Sequence, residues 1–205
     1  MSNLLNESSS LTDAQVNSKI LRYAAIDIGS NAVRLLLSNV VEEHNCIHFK
    51  KVELVRVPLR LGGEVFENGK ISARLANRLI KTMTAFKLLI EVFDPVAYRA
   101  CATSALREAV NGDDIMRQIK KECGLRVEII SGKTEADLIF CNHVEEHLEM
   151  NKSYMYIDVG GGSTEVTLFD KGQCVLSQSW DIGTIRLLKG QVTKEKWNEC
   201  HPESL

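Results

Sequence analysis

The residues best suited to chemistry stand in two short runs of like composition. Residues 24–31 read AAIDIGSN, and residues 156–165 read YIDVGGGSTE. Each places an aspartate at the end of an apolar strand, then one residue, then glycine followed by hydroxyl or amide side chains. Asp158 stands in the place of Asp27 and Gly160 in the place of Gly29, both 131 residues on. Glycine lets backbone N–H groups approach an anion closely, Ser and Thr hydroxyls add donors, and an aspartate at each strand end can hold Mg²⁺ against phosphate oxygens. The expected donors are Gly29, Ser30 and Asn31 in the first run, and Gly160, Gly161, Gly162, Ser163 and Thr164 in the second. Asp27 and Asp158 are the metal candidates. One such turn alone is an ordinary hairpin, whereas a repeat of it with a triple glycine points to a two-sided phosphate clamp.

Other residues with chemical potential are scattered. The six cysteines (Cys46, Cys101, Cys123, Cys141, Cys174 and Cys200) form no CxxC pair and no zinc-spaced cluster, so they read as reduced thiols. His143 and His147 have the i,i+4 spacing of a metal-binding pair. Glu145 and Glu146 between them do not make an HExxH order, and a surface-helix role is the commoner fate of such a pair.

The elements that must position the two turns follow from periodicity. Residues 23–29, 32–40 and 46–59 read as a three-strand meander joined by short polar turns. Leu75, Leu79, Met83, Phe86, Ile90 and Phe93 follow helical spacing, with Ser72 as N-cap and Pro95 as the stop. Residues 96–103 then read as a strand, 104 to about 123 as one helix, 126–130 as a strand and 134–148 as a helix. The order is βββαβαβα. From Tyr154 the pattern starts again with strand, glycine turn, strand and a third strand over 173–183, before residues 185–200 begin a helical region. The expected organisation is a flexible tail over 1–20, a first domain over 21–150, and the start of a second over 151–205. That second copy is a truncated meander with an unfinished cover, so one apolar sheet face is expected to be bare, which favours self-association.

Composition bounds the partners. The chain has 205 residues, 44% hydrophobic and 25% charged, with a formal net charge of −2. These values describe a folded globular chain and make duplex nucleic acid unsuitable as the main partner. No basic-apolar leader and no apolar run near ~18 residues is present, so the expectation is a cytoplasmic protein without a membrane partner.

AAIDIGSNAVRLLL, ATSALREA, IISGKTEADLIF and IDVGGGSTEVTLF, in that order, resemble the Ppx/GppA family of exopolyphosphatases and guanosine pentaphosphate phosphohydrolases, over residues 23 to about 190. The resemblance implies an α/β, actin-like (RNase H-type) duplicated fold with its site between two related domains. It implies Glu135 as the base for an attacking water, Glu165 as a second acid of the site, and Arg107 facing the phosphate chain. Arg34 and Lys133 are weaker candidates for the same polyanion, and Gly183 matches a family glycine. By residue type alone, Glu135 also reads as a helix-capping acid and Arg107 as a surface partner of Glu108 or Asp114. The implied activity is Mg²⁺-assisted release of terminal phosphate from polyphosphate. The alternatives are 5′-phosphate hydrolysis of pppGpp, or a truncated, non-catalytic remnant that binds phosphate.

Overall fold

The computed structural model describes residues 19–43, 46–143, 149 and 151–199. Its first sheet begins with a meander of β1 (Lys19–Ile28), β2 (Val33–Glu43) and β3 (Cys46–Val57). Alternation decides which face is buried: Ala24, Ile26 and Ile28 on β1 and Val33, Leu35 and Leu37 on β2 all point into one core. The intervening Asp27 and Arg34 therefore point to the opposite face, where they sit across the strands from each other.

Two helices follow, α1 (Leu61–Asn68) and α2 (Ala73–Phe93). The apolar stripe of α2 covers the sheet, with Leu79 and Met83 fully buried. The Ser72 Oγ accepts the Leu75 N–H at 3.2 Å, and the helix stops at Asp94 in the left-handed region, one residue before the proline. Then come β4 (Ala97–Ala102), α3 (Ser104–Glu108), α4 (Gly112–Cys123), β5 (Glu128–Ile129) and α5 (Gly132–His143). Strands β4 and β5 add in parallel, giving the order β3-β2-β1-β4-β5. The second sheet repeats the meander as β6 (Ser153–Val159), β7 (Thr164–Asp170) and β8 (Gln173–Trp180), and is followed by the short helices α6 (Thr184–Leu188) and α7 (Lys194–Asn198). Helix α5 packs on β7 and β8 and so reaches from the first sheet to the second. The architecture is the α/β, actin-like (RNase H-type) fold, with the first meander repeated as β6-β7-β8. Met155, Ile157 and Val159 are exposed on one face of that sheet. Among the described residues no helix is long and apolar enough to cross a membrane.

Four elements differ from the pattern reading. Strand β1 starts at Lys19 rather than Tyr23 because it pairs with β2 as far as Glu42. Helix α1 lies between the third expected strand and the helix capped by Ser72, in a segment to which periodicity assigned no element. A Cβ on Gly62 would stand 2.6 Å from the Phe66 ring and 3.0 Å from Ser30 Cβ, so this glycine serves packing rather than a turn. The single helix expected from Ser104 breaks into α3 and α4. There the Asn111 side chain accepts from Ile71 N–H (3.0 Å) and donates to Ile71 C=O (2.8 Å), tying the break to the start of α2. The final helical region likewise divides into α6 and α7. Residues 1–18, His147 and Cys200 lie outside the described residues; Cys101, Cys123 and Cys174 are free thiols.

Candidate active site

The two aspartate-glycine runs form the same hairpin twice. Asp27 pairs with Arg34 across β1 and β2, and Asp158 pairs with Glu165 across β6 and β7. In the first turn the Gly29 N–H donates to the Ala32 carbonyl at 3.1 Å; in the second, the Gly160 N–H donates to the Ser163 carbonyl at 2.9 Å. Those two amides close the turns. Ser30, Asn31 and Gly161, at the turn tips, carry the amides that can meet an anion.

The tips touch each other, which is what makes a cleft of them. A Cβ on Gly161 would stand 3.2 Å from Ser30 Cβ, and Ser30 is in turn held by Ser104 of its own lobe, the two hydroxyls 2.7 Å apart. A Cβ on Gly162 would overlap Ser104 and the Phe66 ring, so the third glycine of the run lets the lobes meet. Arg186, itself buried, fastens this contact. Its Nε donates to the Gly162 carbonyl at 2.6 Å, its Nη2 pairs with the Glu108 carboxylate, and its guanidinium lies 4.0 Å above the Phe66 ring.

Between the tips lies a cleft of about 330 Å³ at the carboxyl ends of β1, β4, β5 and β6. Asp27, Gly29, Ser30, Asn31, Glu135, Asp158, Gly160, Gly161, Ser163 and Glu165 all line it, as does Arg34. Gly162, Thr164, Lys133 and Gly183 do not. The Thr164 hydroxyl is turned to the Ile182 carbonyl, and Gly183 packs against the backbone of Gly161 and Gly162. Arg107 stands behind the wall: its Nη1 donates to the Ile130 carbonyl at 2.9 Å and lies 4.0 Å from Glu135 Oε2. Neither surface partner considered for Arg107 is its partner, since Glu108 pairs with Arg186 and Asp114 with Arg117.

Glu135 owes its position to the start of α5. The Ser131 Oγ accepts the Thr134 N–H at 3.1 Å, and the Glu135 N–H donates to the Ser131 carbonyl at 2.9 Å, which sets Glu135 in the first turn. The carboxylate is not used for capping. Its Oε2 is buried with no hydrogen-bond partner among the described residues. Burial, and next the charge of Glu165, push its pKa up to about 7, against the pull of Arg107. Glu165 is 4% exposed, and burial raises its pKa as well. The hydroxyls of Ser163 and Ser179 and the charge of Arg107 oppose that rise, whereas the charge of Asp158 adds to it.

Ser179 joins the two glutamates, and the sequence carried no sign of it beyond an ordinary strand serine. Its Oγ donates to Glu165 Oε1 at 2.8 Å, and a Cβ on Gly132 would lie 2.6 Å from the same Oγ. The absent side chain at Gly132 thus lets the first turn of α5, with Glu135, sit directly against β8.

Four carboxylates line the cleft, with Arg34 and Arg107 as the neighbouring cations. Hard oxygen donors in a negatively charged cleft suit Mg²⁺, which binds through one or two carboxylates, water and substrate phosphate rather than a protein-only cage. The spacing agrees: among the described residues no three acidic, histidine or cysteine side chains cluster closely enough to hold a metal by themselves. Asp158, which has no cation paired to it among the described residues, and Asp27, which is 2.5 Å from Arg34 Nη1, are the residues that would hold it.

The Ppx/GppA phosphatase family model matches residues 40–201. Exopolyphosphatase 1 of Mycobacterium tuberculosis is 30% identical over 169 residues, which is 82% of this chain and 48% of that protein. Exopolyphosphatase 2 of the same organism is 32% identical over 173 residues, 82% of this chain and 54% of that protein. Among solved structures, an exopolyphosphatase from Cytophaga hutchinsonii superposes with a TM-score of 0.74 at 29% identity, covering 82% of this chain and 53% of that one. A Ppx/GppA family member from Aquifex aeolicus gives 0.68 at 27% identity, covering 88% and 59%. The chain spans about half the length of the curated relatives it matches.

Proposed function

This chain belongs to the Ppx/GppA phosphatase family, and we propose that its cleft hydrolyses the terminal phosphoanhydride of linear polyphosphate. The observation that carries the reading is Glu135, whose Oε2 is buried in the cleft wall with no hydrogen-bond partner among the described residues and whose pKa is pushed up to about 7. A general base works best when its pKa lies near the working pH, because it is then ionised yet still basic enough to take a proton.

The terminal phosphate enters between the turn tips, where the amides of Ser30, Asn31 and Gly161 face it. Glu135 accepts a proton from a water molecule whose oxygen attacks the terminal phosphorus. The bridging P–O bond breaks, inorganic phosphate leaves, and the chain departs one phosphate shorter. Arg34, which lines the cleft, and Arg107, behind its wall, lend positive charge against the negative charge gathering on the phosphoryl oxygens. Asp158 and Asp27 would hold Mg²⁺, which would supply the further charge neutralisation that two arginines do not. Glu165, hydrogen bonded to Ser179, stands beside Glu135, and its charge raises the Glu135 pKa.

Phosphate release from long-chain polyphosphate and from pppGpp, each with Mg²⁺ and with EDTA, tests this reading. Mg²⁺-dependent release from polyphosphate is expected. Release from pppGpp alone would move the assignment to the nucleotide, and release from neither by folded protein would reject hydrolysis.

A further inference from the structure

A group of cations outside the cleft takes no part in this chemistry. Arg60, Arg74, Arg78 and Lys189 line a pocket of about 420 Å³ between the start of α1, the start of α2 and the end of α6. Glu64 is the one carboxylate in its lining, and it is engaged: it accepts from the Ser72 N–H at 2.7 Å and the Ser72 hydroxyl at 3.0 Å. Lys189 pairs with Glu67. Among the described residues, Arg60, Arg74 and Arg78 have no ion-pair partner.

Their placement is unfavourable for the chain on its own. Arg74 and Arg78 are four residues apart on α2 and share a face, where like charges repel. Arg74 also lies in the first turn of α2, which holds no acid, so its charge opposes the helix dipole. Arg60 has φ 60° and ψ 45°, a left-handed conformation that disfavours any residue with a Cβ, and its side chain makes no cap bond to α1. A polyvalent anion in the pocket offsets the charge repulsion and the dipole together.

The pocket adjoins the cleft through one stretch of backbone. The Asn31 carbonyl accepts the Arg60 N–H and the Ser30 carbonyl accepts the Gly62 N–H, both at 2.8 Å, while Ser30 and Asn31 line the cleft on their other side. We propose that this pocket is a second phosphate-binding site, taking phosphate groups of a linear polyphosphate remote from the end held in the cleft. The proposal rests on the reading of the cleft as the site for the chain end. Guanidinium forks suit phosphate oxygens, and no aromatic ring lines the pocket on which a nucleobase would stack. Once one end is held, binding at the second site is intramolecular, so long chains bind more tightly than short ones.

The test is the affinity of the full chain for long-chain polyphosphate and for tripolyphosphate, by calorimetry at several salt concentrations, in wild type and in Arg74→Gln/Arg78→Gln. Both arginines are exposed and unfavourably placed for the helix, so the variant is expected to unfold no earlier than wild type. Long-chain affinity should fall by about tenfold or more with a shallower salt dependence, and tripolyphosphate affinity should not change. Equal long-chain affinity in the two proteins would overturn the second site. So would wild type binding the two chain lengths equally, an outcome that leaves the reading of the cleft standing. Binding of neither would overturn both. Single-stranded RNA held more tightly than polyphosphate, and weakened by the same substitutions, would overturn polyphosphate as the occupant.

Discussion

Arg34 and Glu165 stand at the same place in two copies of one hairpin and carry opposite charges. Each lies across the strands from an aspartate, Arg34 from Asp27 and Glu165 from Asp158. In the first copy the pair is an ion pair at 2.5 Å; in the second, two acids face each other, and the charge of Asp158 raises the Glu165 pKa. A duplicated turn has thereby become one neutral wall and one anionic wall of the same cleft.

The first prediction follows from this difference. Asp158→Asn removes a charge from the anionic wall and should weaken Mg²⁺ binding by on the order of tenfold, about 1.4 kcal/mol, whereas Asp27→Asn, already compensated by Arg34, should weaken it less. Calorimetric titration with Mg²⁺ measures this without any turnover, and a larger effect at Asp27 would contradict the asymmetry.

The pH dependence of hydrolysis should follow Glu135. The base acts only when ionised, so kcat/KM should rise with pH to a limb near 7 and fall about tenfold per pH unit below it. Arg107 pulls that pKa down, so Arg107→Gln should move the limb to higher pH as well as slow the reaction. A limb that stays in place in the variant would remove Arg107 from the electrostatics of the base.

Stability should carry the same signature with the opposite sign. The Glu135 pKa is higher folded, about 7, than the ordinary 4.5, so the folded state holds the extra proton between these values. Stability contributed by this group is complete below about pH 4.5 and is lost as pH rises through 7. Glu135→Gln should therefore stabilise the fold at pH 8 by up to about 3 kcal/mol and have little effect at pH 4.5. Denaturant unfolding at the two pH values reads the difference directly.

Much of this was legible in the sequence because it is local. The two aspartate-glycine turns and the apolar stripe of α2 lie in contiguous motifs or simple periods, whereas the roles of Glu135 and Glu165 were implied only by the family resemblance. What was not legible comes from pieces of chain far apart. Helix α1 is hidden by its glycines, of which Gly62 is small because Phe66 and Ser30 press on it. Ser179 matters only because β8 brings it between Gly132 and Glu165, and Arg186 because α6 delivers it to Glu108 and Phe66. Gly162 and Thr164 read as phosphate donors by proximity to the motif, yet their surroundings are the lobe contact and the Ile182 carbonyl.

The lobe contact itself is testable at Arg186. Arg186→Ala leaves the Glu108 carboxylate without its partner and the Gly162 carbonyl without a donor, and should destabilise the protein by about 3 kcal/mol. Arg186→Lys keeps the charge but not the fork or the ring stacking, and should recover only part of it. Thermal unfolding with both variants separates charge from geometry; equal recovery by Lys would make the contact a matter of charge alone.

Glu135→Gln is the most direct test of the central claim, with polyphosphate binding and Mg²⁺-dependent phosphate release measured on the same protein. The account predicts chain binding close to wild type and release slowed by about 100-fold or more, because the amide fills the same space but cannot accept the water's proton. Release at the wild-type rate would contradict Glu135 as the base.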